Sequence, residues 1–141
     1  MKIKFDFSTD VNWDRMVKSY LFLRQMNSVT SESFEGGLKC TFERPMPDLV
    51  KKFYPLLKFI TLEETAEYDA STKTMRVVNK TETTRSEYTY QENGAGGTLI
   101  TGFVKIPTIL VAGFKPFVKQ LVRTAFRDDK VEEVNQAHSM S

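Results

Sequence analysis

Cysteine and histidine each occur once in the 141 residues, as Cys40 and His138, and this scarcity excludes more chemistry than any motif suggests. One cysteine permits no intrachain disulfide and points to a reducing compartment. His138 falls within the last four residues, so a Ser–His or Cys–His nucleophile pair has no base, and one cysteine with one histidine does not make a zinc site. The Gly94–Gly97 loop opens a strand rather than a helix, which leaves no phosphate-cradling motif. Neither a cofactor nor a metal is expected. No run reaches transmembrane length, and Met1–Phe7 alternates apolar and charged residues with no signal-peptide hydrophobic region. The expectation is a cytoplasmic protein that meets a membrane only at its surface. A net charge of +2 is too small for a general nucleic-acid binder, so no nucleic-acid partner is expected.

What is present suits one globular domain over residues 1–141, with 135–141 expected as a frayed tail. The chain is 40% hydrophobic and carries 11 phenylalanines, material for a core or a cavity wall. Ile3, Phe5 and Phe7 alternate with Lys2, Lys4 and Asp6, the period of a half-buried strand. A helix follows from Val11 to about Met26, capped by Thr9 or Asp10, with Trp13, Met16, Val17, Tyr20, Leu21 and Leu23 on its apolar face and Arg24 on the polar side. Trp13 reads as core or as the rim of a cavity. Residues 27–34 and 38–43 form a hairpin about Glu35-Gly36-Gly37. Pro45 and Pro47 end it, and a short amphipathic segment from Leu49 to Leu57, bearing Phe53 and Tyr54, is either a packed connector or a lid. Strands then follow at 59–69, about 75–79 and 87–91, with Tyr88 and Tyr90 on one face. After the Asn93–Gly97 loop comes the last strand, ending before Pro107.

The rest of the chain is organised around one long amphipathic helix toward the C-terminus. Phe114, Phe117, Val118, Leu121, Val122, Ala125 and Phe126 make an apolar stripe wide enough to cover a sheet. Lys115, Lys119, Arg123 and Arg127 form a basic ridge, and Asp128, Asp129, Glu132 and Glu133 an acidic end. No acidic residue occurs between Asn93 and Arg127. Like-charged i,i+4 pairs, with bases first and acids last, oppose the helix dipole, so helix stability did not set this order. The ridge is either a solvated face or a docking surface for an anionic membrane or an acidic protein.

The order strand, helix, about six strands and long helix gives an α+β class: a curved antiparallel sheet wrapped around the C-terminal helix, with an N-terminal helix after the first strand. This layout resembles the START-like (SRPBCC, helix-grip) superfamily over the whole chain. Local features resemble two branches. Met1-Lys2-Ile3 with Trp13 and Val17, and Glu64–Met75 with its Asp69 turn, are similar to PRELI-type lipid-transfer proteins, although Tyr20 is followed by Leu21-Phe22 where that branch has a Tyr-Pro-Asn-type motif. Lys52-Phe53-Tyr54-Pro55 and Val104-Lys105-Ile106-Pro107 are similar to an uncharacterised actinobacterial branch. The resemblance implies a cavity between sheet and helix that takes a lipid or another apolar ligand.

Two sets of candidate residues follow. Trp13, Phe42, Phe53, Tyr54, Glu64, Arg76, Tyr88, Tyr90, Phe103, Phe117 and Leu121 are the ligand-binding candidates, with Phe42, Tyr88, Tyr90, Phe103, Phe117 and Leu121 as the apolar wall or, alternatively, as packed core. Lys115, Lys119, Arg123 and Arg127 are the docking candidates. Glu64 shares a face with Ile60, Leu62, Ala66 and Tyr68 and is the strand carboxylate that could serve as an acid or base, with Arg76 as its partner. Binding, with transport or exchange of a lipid or similar apolar molecule, reads ahead of a cyclase- or hydratase-like enzyme and of a protein-interaction module. The oligomeric state is open.

Overall fold

The computed structural model describes residues 2–45, 59–81, 84–106 and 115–139, with backbone alone at 115–119 and 121. The elements are β1 (Lys2–Thr9), α1 (Trp13–Asn27), β2 (Thr30–Phe34), β3 (Gly37–Pro45), β4 (Phe59–Asp69), β5 (Thr74–Lys80), β6 (Arg85–Glu92), β7 (Thr98–Lys105) and α2 (Lys115–Ser139). Seven antiparallel strands form a single sheet in the order β1-β7-β6-β5-β4-β3-β2. Strands β1 and β2 lie at opposite edges, so the chain between them must cross one face, and α1 is that crossing.

Local chemistry fixes the boundaries. The β2–β3 hairpin closes through Glu35-Gly36, with Phe34 opposite Gly37. Gly36 has φ of 83°, which glycine adopts without the Cβ penalty. Helix α1 starts two residues later than the sequence suggests. Asn12, not Thr9 or Asp10, is its cap, in extended conformation, and its Oδ1 accepts the Arg15 amide at 2.8 Å. Thr9 instead accepts the Val11 amide at 3.2 Å, in a turn that drives Val11 into the interior.

The core lies on the face covered by the helices. Val11, Trp13, Met16, Val17 and Tyr20 pack against Ala66, Met75, Val77, Tyr88, Tyr90 and Ile100 from the sheet, and Ala137 closes the layer from α2. Each fully buried aliphatic side chain contributes about 1.5–3 kcal/mol of burial. Trp13 is part of this core: its indole N–H donates to the Tyr90 carbonyl at 3.0 Å and ties α1 to β6.

In α2 the inward stripe is Phe126, Lys130, Val134 and Ala137, at spacings of four, four and three. Ala125, expected on the stripe, is exposed, and the side chains of Phe114, Phe117, Val118 and Leu121 lie outside the described residues. The helix continues to Ser139 and Ala137 is fully buried, so residues 135–139, expected in a loose tail, belong to it. Asp128–Glu133 therefore occupy the middle of α2. Among the described residues no helix is long and apolar enough to cross a membrane.

Candidate functional site

Glu64 shares a face of its strand with Leu62 and Ala66, and the fold turns that face inward and surrounds it. It sits on β4 opposite Cys40 of β3 and Asn79 of β5, and is 1% exposed. Three donors converge on its carboxylate: the Tyr20 hydroxyl in a short hydrogen bond, the Arg24 Nε at 2.6 Å and the Asn79 Nδ2 at 3.0 Å. Arg24 also reaches Glu133 of α2 at 3.5 Å. Glu133 accepts the Tyr90 hydroxyl at 2.6 Å and both contacts of the Lys130 ammonium at 3.3 Å. Lys130, 1% exposed, donates to the Tyr90 hydroxyl at 2.7 Å and lies 4.2 Å from the Tyr88 ring centroid. The outermost link is Asp129, held by Arg44 at 2.7 Å.

This network alternates in charge: Glu64, Glu133 and Asp129 against Arg24, Lys130 and Arg44. It satisfies its own members, since no buried side-chain nitrogen or oxygen among the described residues lacks a partner. Burial, reinforced by the neighbouring Glu64, raises the Tyr20 hydroxyl well above the usual tyrosine range. Burial and Glu133 do the same to Tyr90, and burial and Glu64 to Tyr88. Burial pushes Asp129 up, but Lys130 and Arg44 outweigh it and hold the carboxyl below its ordinary value. Burial also raises the Cys40 thiol above its ordinary value.

Arg76 is not the partner of Glu64. It sits between buried Met75 and Val77, so the strand period turns it to the opposite face, where it pairs with Glu87. Phe103 likewise lies across from Glu87 on that face, with Lys2 4.3 Å and Lys105 5.7 Å from its ring centroid. Tyr88 and Tyr90 are inside, within the network, and Phe42 is buried beneath Arg24 and Arg44, 4.7 and 5.5 Å from its ring centroid. Phe42, Tyr88, Tyr90 and Phe103 thus do not form one wall. Phe53, Tyr54 and the segment Leu49–Leu57 lie outside the described residues, as do the side chains of Phe117, Leu121, Lys115 and Lys119.

Among the described residues two clefts flank the network. The smaller, about 270 Å³, lies where the end of α1, β3 and α2 meet, and Phe42, Arg24, Arg44, Asp129 and Glu133 line it. The larger, about 790 Å³, runs between β1 and α2. Its apolar floor is Phe5, Phe7 and Phe126. The Phe5 and Phe126 rings stack at 4.8 Å and 13°, and Tyr88 stands tilted to both at 5.7 Å. Arg123 and Arg127, exposed on α2, line the same cleft, and Lys130 lies at its inner side.

Tyr20, Arg24, Asn79, Asp129, Lys130 and Glu133 were not among the sequence candidates. Lys130 had a readable signal, because it continues the four-residue spacing of Phe126. Arg24, expected on the polar side of α1, had the same kind of signal, since it follows buried Tyr20 by four residues.

No protein-family model and no curated protein matches the chain. Solved structures do. TTHA0849 from Thermus thermophilus is similar over 100% of this chain and 99% of its own, with a TM-score of 0.69 and 13% identity. The Zhui aromatase/cyclase from Streptomyces sp. R1128 is similar over 97% of this chain and 90% of its own, with a TM-score of 0.56 and 8% identity. The di-domain ARO/CYC BexL from the BE-7585A biosynthetic pathway gives a TM-score of 0.63 at 11% identity over 97% of this chain, which spans 48% of that protein. At these identities the likeness is one of fold: an α+β helix-grip architecture, a seven-stranded antiparallel sheet with a helix after its first strand and a long C-terminal helix.

Proposed function

We propose that the protein binds an apolar small molecule, a lipid or an aromatic compound, in the cleft between β1 and α2. The observation that carries this reading is the stacked Phe5–Phe126 floor in a space of about 790 Å³. That volume lies within the ordinary range of small-molecule sites, and aromatic walls with a few polar groups at the rim are their usual composition. The solved structures named as aromatase/cyclases support an aromatic ligand by analogy of fold alone. A lipid ligand, exchanged at an anionic membrane, is the finer form of the reading. The stretch similar to PRELI-type proteins lends it little weight, because the Asp69 turn is occupied locally, its carboxylate accepting the Ser71 amide at 2.9 Å.

The cyclase-like alternative needs a proton-transfer group that meets the ligand. Glu64, its natural candidate, lines neither described cleft, and its oxygens are engaged by Tyr20, Arg24 and Asn79. Geometry therefore favours binding over proton transfer by this residue.

Native mass spectrometry of the purified protein, followed by organic extraction, tests the reading. A bound apolar molecule, present on isolation or taken up from a mixture of lipids and polycyclic aromatics, is the expected result. A bare 16.2 kDa chain after that incubation contradicts it.

A further inference from the structure

The rim of the larger cleft carries a chemical preference that its floor does not. Among the described residues Arg24, Arg44, Arg76 and Arg85 each have a carboxylate within 4 Å, whereas Arg15, Arg123 and Arg127 have none, and of these three only Arg123 and Arg127 line a described cleft. These two are one turn apart on α2, exposed, and both line the cleft. Lys4 lines it as well, and Asp6 is the one carboxylate among its lining residues. Lys130, the buried cation at the inner side, is already held by Glu133 and Tyr90. A guanidinium pair with no carboxylate partner among the described residues, beside stacked aromatic rings, matches a ligand with an apolar body and one anionic end.

We infer that the ligand of this cleft is an amphipathic carboxylate, seated with its apolar part on Phe5 and Phe126 and its carboxylate on Arg123 and Arg127. The inference rests on the binding reading above and narrows it. A neutral lipid or hydrocarbon would leave the two guanidiniums with water alone, with no gain from the rim. The carboxylate end faces solvent at the rim, so the charge pairing works through exposed contacts of modest strength. Two such contacts correspond to about a tenfold difference in Kd. Because the contacts are exposed, they weaken with salt.

The test displaces a neutral fluorescent probe, N-phenyl-1-naphthylamine, from the full chain with matched pairs: dodecanoic acid and its methyl ester, 2-naphthoic acid and its methyl ester. The acids are expected to displace the probe about tenfold more tightly than their esters, with the advantage shrinking in high salt. In the double variant Arg123→Gln with Arg127→Gln the acids should fall to the level of the esters. The two pairs separate an acyl body from an aromatic one: preference within either pair supports the inference, and the tighter acid names the body. Esters that bind as tightly as acids, or an acid preference that survives the double variant, overturn the inference and leave apolar binding intact. Failure of the probe and of all four compounds to bind removes the binding reading and the inference with it. Circular dichroism of the double variant confirms that it is folded, and both substitutions are at exposed helix positions that tolerate glutamine.

Discussion

Replacing Arg24 with methionine would leave Glu64 as a buried carboxylate without its cation. The two side chains are 12% and 1% exposed, so neither water nor salt can take over the role of the guanidinium. Removing one partner of a buried ion pair costs about 3–5 kcal/mol. Here the lower end applies, about 3 kcal/mol, because Tyr20 and Asn79 still donate to Glu64, and Lys130 still holds Glu133. For a domain of this size that corresponds to a fall in Tm of about 10 °C. Glu64→Gln should cost less, about 1–2 kcal/mol, because an amide oxygen can still accept from Tyr20 and Arg24 keeps Glu133. The double variant should lose less than the two single losses added, with a coupling of about 1–2 kcal/mol. Urea denaturation of the four proteins, with equal m values, measures all three quantities. A loss below 1 kcal/mol for Arg24→Met, or simple additivity, would refute the account of a coupled buried network.

Further predictions concern titration and the opposite face. Tyr20, Tyr88 and Tyr90 all have hydroxyls raised above the unfolded value, so above pH 10 the unfolded chain loses protons that the folded chain keeps. Stability is then fully present below pH 10 and declines as pH rises, by about 1.4 kcal/mol per pH unit for each tyrosine. Tyrosinate absorbance at 295 nm should appear for these residues together with unfolding; ionisation in a still folded chain would contradict their burial. Arg76→Ala breaks an exposed pair with Glu87 and should cost less than about 1 kcal/mol, with no change in probe binding. A large loss of binding in that variant would place Arg76 in the site after all.

The strand boundaries were legible because alternation and turn chemistry act locally. Phe59–Asp69 reads directly, and Glu35-Gly36 fixes the register of β2 on β3. That Glu64 shares a face with Leu62 and Ala66 was legible too; that this face is the inner one was not, because both faces of the strand carry apolar residues. Its partner was not, because Arg24 is distant in sequence and its charge argues for the solvent side even though it follows Tyr20 by four residues; Arg76 on the next strand is turned to the opposite face by the parity of its place between Met75 and Val77. Phe103 fails by the same parity. The order of charges along α2, which opposes the helix dipole, finds its cause in tertiary pairing: Asp129 and Glu133 are fixed by Arg44, Lys130 and Arg24. Of the stretch that looked like an acidic helix end, Asp129 and Glu133 turn toward the network while Asp128 and Glu132 are exposed. Of the proposed basic ridge, the described pair Arg123 and Arg127 borders a cleft, which a helical-face argument cannot foresee.

The most direct test of the central claim, that an apolar ligand sits between β1 and α2, is a 1H–15N NMR titration with N-phenyl-1-naphthylamine. The account predicts perturbed amides at Phe5, Phe7, Gly102, Arg123 and Phe126, with Arg76 and Glu87 on the far face of the sheet unmoved. Perturbations absent from β1 and α2, or concentrated on that far face, would contradict it.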